Sequence, residues 1–363
     1  MHGDRICRLW VAVVLLVLCV STIASAQHYT RVDLTANTAS TGVIPDPNLV
    51  NAWGLSRASG SPWWISDNGT GLSTLYDLTG APQPLVVTIP PGKGQTGPSA
   101  PTGTVFNYTG GFEVGPGAPA IFLFVTENGT IAGWNPGVNP TVAVTKKDRS
   151  DVASYKGMAL ATTAAGPRLY ATNFKAGTIE VFNDKFQLVN LSADKFHDPN
   201  LPRNYVPFNI QNVGGNLVVT FARRTPGEED EDHGAGLGYV TIFNPDGKLL
   251  LRLQHGAWMN APWGVALAPS DFGPFAHRLL IGNFGDGTIH AFNAVSGKLV
   301  GTVLGATDEP LMIDGLWAIS FAGGNARSGS STELYFTAGP NEENDGLFGK
   351  ITATATENRG NTE

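Results

Sequence analysis

Cysteine is nearly absent from this chain of 363 residues: there are two, Cys7 and Cys19, both within the first 26 positions. The rest of the sequence therefore has no disulfide, thiolate metal site or cysteine nucleophile to draw on. Charge is sparse at 15% of residues, and the basic sign is the scarcer one, with 23 Lys and Arg against 30 Asp and Glu. A net charge of -7 excludes a generic nucleic-acid binder, because neutralising phosphates needs surplus Lys and Arg. No segment sustains a 3.6-residue apolar period, and beyond the N terminus no apolar run approaches membrane length. Also missing are a G-x-S-x-G elbow, an H-E-x-x-H pair and a P-loop. What abounds is Gly (45) and Pro (24), the composition of a chain that turns often.

The first 26 residues read as an export signal. Arg5 and Arg8 precede the uncharged apolar run from Leu9 to Val20, and Ala24-Ser25-Ala26 has the small-residue pattern of a cleavage site. The expectation is a mature protein starting at Gln27, exported to the periplasm or the extracellular space, with no membrane span after cleavage. The segment 353–363 is polar and expected to be a disordered tail.

Between these ends one order of events recurs six times. A short inner strand opens each unit, marked by Gly54, Gly103, Gly157, Asn209, Gly264 and Ala318. An apolar second strand follows, as in Trp63-Trp64-Ile65-Ser66 and Leu279-Leu280-Ile281-Gly282. The third alternates apolar and polar residues, as in Thr178-Ile179-Glu180-Val181-Phe182, and the fourth is apolar again, as in Leu188-Val189 or Leu299 to Val303. Four short strands per step of about 50 residues predict an all-β, six-bladed propeller with antiparallel blades, one domain over 27–352. The sixth unit supplies only three strands. Tyr29 to Leu34 is expected to complete it and close the ring, which removes exposed edges.

Ala261-Pro262-Trp263-Gly264-Val265-Ala266-Leu267, with Leu279 to Asn293, resembles an NHL-type propeller repeat. Asn51-Ala52-Trp53-Gly54-Leu55-Ser56, Ser66-Asp67-Asn68-Gly69-Thr70-Gly71, Asp198-Pro199-Asn200-Leu201-Pro202 and Pro207-Phe208-Asn209-Ile210-Gln211 resemble a family of secreted bacterial proteins of unassigned activity. Some of its members carry a PEP-CTERM sorting tail, and surface sorting by that route is not expected here. The resemblance implies the fold and export.

In a blade of alternating strands, the loops between strands 2 and 3 leave by the same face as those joining strand 4 to the next strand 1. The longest polar loops belong to these classes, so ligands are expected at that mouth of the channel. Candidate residues on this face are Asn51, Lys156, Asn209, Asn260 and Asp314. Ile313-Asp314-Gly315-Leu316 is similar to a metal-binding stretch of calcium-dependent gluconolactonase-like propellers. That likeness implies Ca2+ on Asp314, with Asn51 and Asn260 as neutral oxygen ligands. The acidic run Glu228, Glu229, Asp230, Glu231 and Asp232 is read as a solvated, mobile loop, with capture of calcium or a basic partner as the functional alternative. Asn341 to Gly346 only partly matches a calcium loop. His197 and His255 are candidates for the channel face, and the tryptophans at strand positions are expected to pack the blades. The expected function is a binding module for a protein, glycan or small molecule. The alternative is a divalent-metal-dependent hydrolase.

Overall fold

The computed structural model describes residues 27–355; the expected export signal and most of the polar tail lie outside them. Six antiparallel sheets form the ring of a β-propeller, and the one helical element described is a short 3-10 turn, Gly273–Phe275. Blade 1 is built from Ala52–Ser56, Trp63–Asp67, Leu72–Tyr76 and Val87–Thr88. Blade 2 uses Pro101–Phe106, Phe122–Thr126, Thr130–Trp134 and Val144–Asp148, with a small hairpin, Glu113–Gly115 with Ala118–Pro119, inserted after its first strand. Blades 4 and 5 run from Tyr205–Val213 to Leu249–Arg252 and from Pro262–Leu267 to Leu299–Thr302. No helix among the described residues is long and apolar enough to cross a membrane.

Blade 6 pairs Leu316–Phe321, Leu334–Ala338 and Leu347–Ala353, its fourth strand is Tyr29–Ala36, and Ile44–Pro45 adds a short parallel edge. Tyr29 lies opposite Ala353 and Ala36 opposite Leu347, so the expected ring closure is present. Blade 3 departs from expectation. Tyr155–Thr163, Gly166–Asn173 and Thr178–Asn183 pair as a three-stranded sheet, and the anticipated Leu188-Val189 strand is a single bridge from Leu188 to Phe182. An outermost strand has one neighbour only. Here the chain turns at Asn183, whose Oδ1 accepts from the Lys185 and Gln187 amides, and then leaves into an exposed loop.

The glycines that mark the repeat have a steric cause. A Cβ on Gly54, Gly103, Gly157 or Gly264 would lie under 3.0 Å from the neighbouring blade, against Thr102 O, Met158 N, Asn209 and Trp317 O respectively. Inner strands crowd most closely around the axis, so four of the six blades leave no room for a Cβ at this level, while blades 4 and 6 carry Asn209 and Ala318 there.

Asp67 ends the second strand of blade 1, the place held by Asn173 in blade 3 and Asn283 in blade 5. Those amides are satisfied: Asn283 Nδ2 donates to Trp258 O at 2.7 Å, and Asn173 Oδ1 accepts from Ala176 N at 3.1 Å. Asp67 is fully buried, and neither carboxyl oxygen has a hydrogen-bond partner among the described residues. Burial raises its pKa well above the usual range, and Asp46 adds to the effect while the neighbouring Thr74 opposes it. The folded state therefore keeps a proton that the unfolded chain releases near pH 4, and stability falls as pH rises through the folded value. Asp67→Asn is expected to raise stability at pH 8 by about 1–3 kcal/mol, with little change at pH 4, as measured by urea unfolding at both pH values.

Candidate functional site

The inner strands start at the loop-rich face, and the residues at their upper ends define the mouth of the channel. Lys156, second in its strand, turns its side chain into the axis and is 2% exposed. Its Nζ lies 2.6 Å from Glu127 Oε1, 3.0 Å from Asp230 Oδ1 and 3.8 Å from Glu231 Oε2. It also sits 5.3 Å from the centre of the Trp53 ring and 5.4 Å from that of Phe174, within cation–π range. Burial alone would lower the ammonium pKa. Glu127, Glu231 and Asp230 outweigh it, and the net shift is upward. Lys156 is therefore a fixed cation, unsuited to act as a neutral amine nucleophile.

Beneath the ammonium the channel is filled by aromatics. Trp53 stacks on Trp317 at 3.5 Å, Trp317 on Phe284 at 3.9 Å, and Trp263 stands edge-on to both tryptophans at 6.0 and 5.9 Å. Trp263 Nε1 donates to the Lys156 carbonyl at 3.0 Å, and Trp317 Nε1 to Asn51 Oδ1 at 3.0 Å. The blade-packing role expected of the tryptophans holds for Trp63 and Trp64. It holds for Trp53, Trp263 and Trp317 as well, which share one core cluster with Phe174, Phe208 and Phe284 and so plug the axis.

A hydrogen-bonded chain links the carboxylates around this plug. Asn51 Nδ2 donates to Glu343 Oε2 at 2.5 Å and to Asn68 Oδ1 at 3.3 Å, and Asn68 Nδ2 donates to Glu127 Oε2 at 2.8 Å. Glu343 ends a run of three non-glycine residues in the left-handed region, Asn341 (φ 58°), Glu342 (φ 53°) and Glu343 (φ 65°). Asn51 (φ 48°) and Ala261 (φ 44°) share this conformation at the same mouth. Such residues cost roughly 1–3 kcal/mol each and persist where the surroundings over-determine them. Burial pushes the Glu343 carboxyl up to about 7, with Glu231 and Glu127 adding to the rise while Asn51 and Lys156 oppose it.

The acidic loop is not the free, solvated segment expected from its charge. Glu228 and Glu229 face solvent, but the Glu231 side chain is only 3% exposed. Asp232 binds Arg223 at 2.7 Å and Thr225 at 3.1 Å, and pairs with Arg223 through the backbone. His233 packs edge-on against Phe284 at 5.0 Å, and the Glu231 carboxylate, 3.6 Å away, raises its pKa. The attraction to Lys156 outweighs the preference of Glu231 for water. Beside the loop opens a cleft of about 660 Å³, lined in part by Glu127, Ser150, Lys175, Arg224 and Asp230.

The other sequence candidates act as braces. Asn260 Oδ1 accepts from the Gly234 amide at 2.7 Å, which holds the acidic loop, and its Nδ2 donates to Asp286 at 3.2 Å. Asp314 is exposed and accepts from the Asn341 amide at 2.9 Å, under the left-handed turn. Asn209 is buried in the channel and donates to Trp263 O at 2.7 Å. Among the described residues no group of three or more His, Cys, Asp or Glu is arranged to hold a metal. His255 stacks on Tyr239 at 4.2 Å, and His197 lies by a cavity between the outer parts of blades 3 and 4. Sequence reading missed Glu127 and Glu343 as members of the site. The Asn341–Gly346 run was the one signal for the second.

No family model matches the chain. It is 33% identical over 318 residues to "Uncharacterized protein L690" of Acanthamoeba polyphaga mimivirus, covering 84% of this chain and 81% of that one. It is likewise 33% identical over 329 residues to "Uncharacterized protein R648" of the same virus, covering 88% and 78%. A solved structure of a protein of unknown function from Bacteroides thetaiotaomicron superposes with a TM-score of 0.57 at 12% identity, covering 91% of this chain and 77% of that one. That likeness shows the fold.

Because the folded pKa of Glu343, about 7, lies above the roughly 4.3 of an unfolded Glu, its contribution to stability is full in acid and is lost as pH rises through 7. Glu343→Gln is expected to flatten the fall in stability between pH 5 and pH 8 by about 2–3 kcal/mol in urea unfolding. In the unmodified protein, carboxyl NMR should show one glutamate titrating near neutrality; a Glu343 signal that titrates near 4 would contradict this.

Proposed function

We propose that this chain, which belongs to the same family as the mimivirus proteins L690 and R648, is a binding propeller that takes a positively charged ligand at the carboxylate-rich mouth of its channel. One observation carries the reading: a single buried ammonium, Lys156, faces Glu127, Asp230 and Glu231, with Glu343 linked to the same network. Glu228 and Glu229 extend the negative potential over the cleft. The cations nearby are already engaged. Arg224 Nη1 donates to the carbonyls of Phe174 and Lys175, and Lys175 Nζ donates to Asp151 O at 3.3 Å. Left-handed backbone at Asn51, Ala261 and Asn341 to Glu343, at the same mouth, supports a built site.

A hydrolase of the metal-dependent type would ask Asn51, Asn260 and Asp314 to offer oxygens to one cation. Asn51 Oδ1 and Asn260 Oδ1 each accept a hydrogen bond from within the protein, which favours the binding reading. In this proposal the propeller works outside the cytoplasm. The export pattern of residues 1–26 and the runs similar to secreted bacterial propellers support that part.

Calorimetric titration with spermidine and with tetralysine tests the charge of the ligand. Saturable binding is expected, weakening several-fold between 50 and 200 mM salt, and weakening about fivefold or more in a Glu228→Gln, Glu229→Gln, Asp230→Asn variant. Equal or tighter binding of tetraglutamate, or no binding of either cation, would sink the reading.

A further inference from the structure

The tryptophan plug divides the channel, and its far mouth holds a second cavity. This one measures about 320 Å³ and lies at the lower ends of the inner strands, bordered by Leu55 to Arg57, Thr104 to Phe106, Ala159 and Leu160, Gln211 and Asn212, and Ser320. Five blades contribute to it. Trp263, 4% exposed, together with Trp53 and Trp317, separates it from Lys156 and the carboxylates.

Its chemistry is the reverse of the upper mouth. Arg57 is the one charged residue in the lining. The guanidinium rests over the Trp63 ring at 5.5 Å, and its Nη2 and Nε both donate to Phe321 O, at 3.1 and 3.4 Å. Its Nη1 packs over Gly323 and makes no hydrogen bond to the described residues. Gln211, which is exposed, and half-buried Ser320 make no side-chain hydrogen bond to the described residues, so with Arg57 three polar side chains border one concavity. Tyr108 closes the rim: its hydroxyl donates to Leu160 O at 3.4 Å, while the residue stays 56% exposed. Leu55, Val105, Phe106 and Leu160 supply the apolar wall. An apolar wall with a few convergent polar groups is how small-ligand sites are built, and the volume is at the small end of that class.

We propose that this lower mouth is a second binding site, for a small hydroxylated monocarboxylate such as a sugar acid. The carboxylate pairs with the Arg57 guanidinium where it borders the cavity, the hydroxyls meet Gln211 and Ser320, and the carbon skeleton lies against Tyr108. A single cation in the lining selects a single negative charge, and the absence of an acidic neighbour leaves that charge unopposed. The two mouths then take ligands of opposite sign.

The probe is D-glucuronate, with D-glucose as its uncharged counterpart, followed by saturation-transfer NMR and calorimetry on the full chain. Glucuronate is expected to bind at least about tenfold more tightly than glucose, the difference one charge-assisted hydrogen bond supplies. Arg57→Met should abolish that preference and Arg57→Lys should keep part of it. Should Arg57→Met fail to fold, Gln211→Ala and Tyr108→Ala, both on the exposed rim, are each expected to weaken glucuronate several-fold. Tetralysine binding at the upper mouth should be unchanged in all of these variants, which separates failure here from failure of the first site. Glucuronate bound no better than glucose, bound equally by the rim variants, or not bound saturably would overturn the proposal.

Discussion

The whole arrangement turns on one buried ammonium. Neighbouring blades meet through apolar faces and a few backbone bridges, such as Thr88 with Val142, but blades that are not neighbours can be joined only by side chains across the axis. Lys156 belongs to blade 3, yet its Nζ reaches Glu127 of blade 2 and the loop of blade 4, and it lies over Trp53 of blade 1. Its carbonyl accepts from Trp263 of blade 5. A charge in so dry a place is tolerated only when it is paired, and removing one partner of such a pair strands the other. The same pairing that secures the ring draws the acidic loop down to the mouth and so gives that mouth its chemistry.

Much of this was legible in the sequence, and the reason is periodic sterics. Gly54, Gly103, Gly157 and Gly264 recur because the inner strands leave no room for a Cβ, a constraint that repeats in four of the six blades. The partnership of Tyr29–Ala36 with the last blade was legible too, since the sixth unit was one strand short. The loop classes that converge on Lys156 followed from strand direction alone. What could not be read was how individual side chains share the mouth. Asn51, Asn260 and Asp314 precede inner strands at the same mouth, and their hydrogen bonds run to Trp317, Gly234 and Asn341. Glu127 follows an ordinary strand end and looks like any turn residue until the fold brings it 2.6 Å from Lys156. Such contacts between blades leave no pattern in the linear chain.

The acidic run shows how context reverses a sound local inference. Five consecutive carboxylates repel one another and favour water, so a solvated loop is the sensible reading of the run alone. A cation 3.8 Å from Glu231 changes the balance for that residue and not for Glu228 or Glu229, which remain outside. The loop is therefore two things at once: an anchored root and a charged rim.

Ring closure by Tyr29–Ala36 also sets a schedule for biosynthesis. The strand that emerges among the first of the folded residues meets Ile44–Pro45 only at its last two positions, and along the rest of its length its partner is Leu347–Ala353, among the last. At about 5–20 residues per second, it waits on the order of 15–60 s as an open β-edge while the five intervening blades assemble. Its sequence suits that wait. Arg31 and Asp33 punctuate the strand with charge and bind each other at 2.7 Å, which discourages pairing with a stray edge until the last blade arrives.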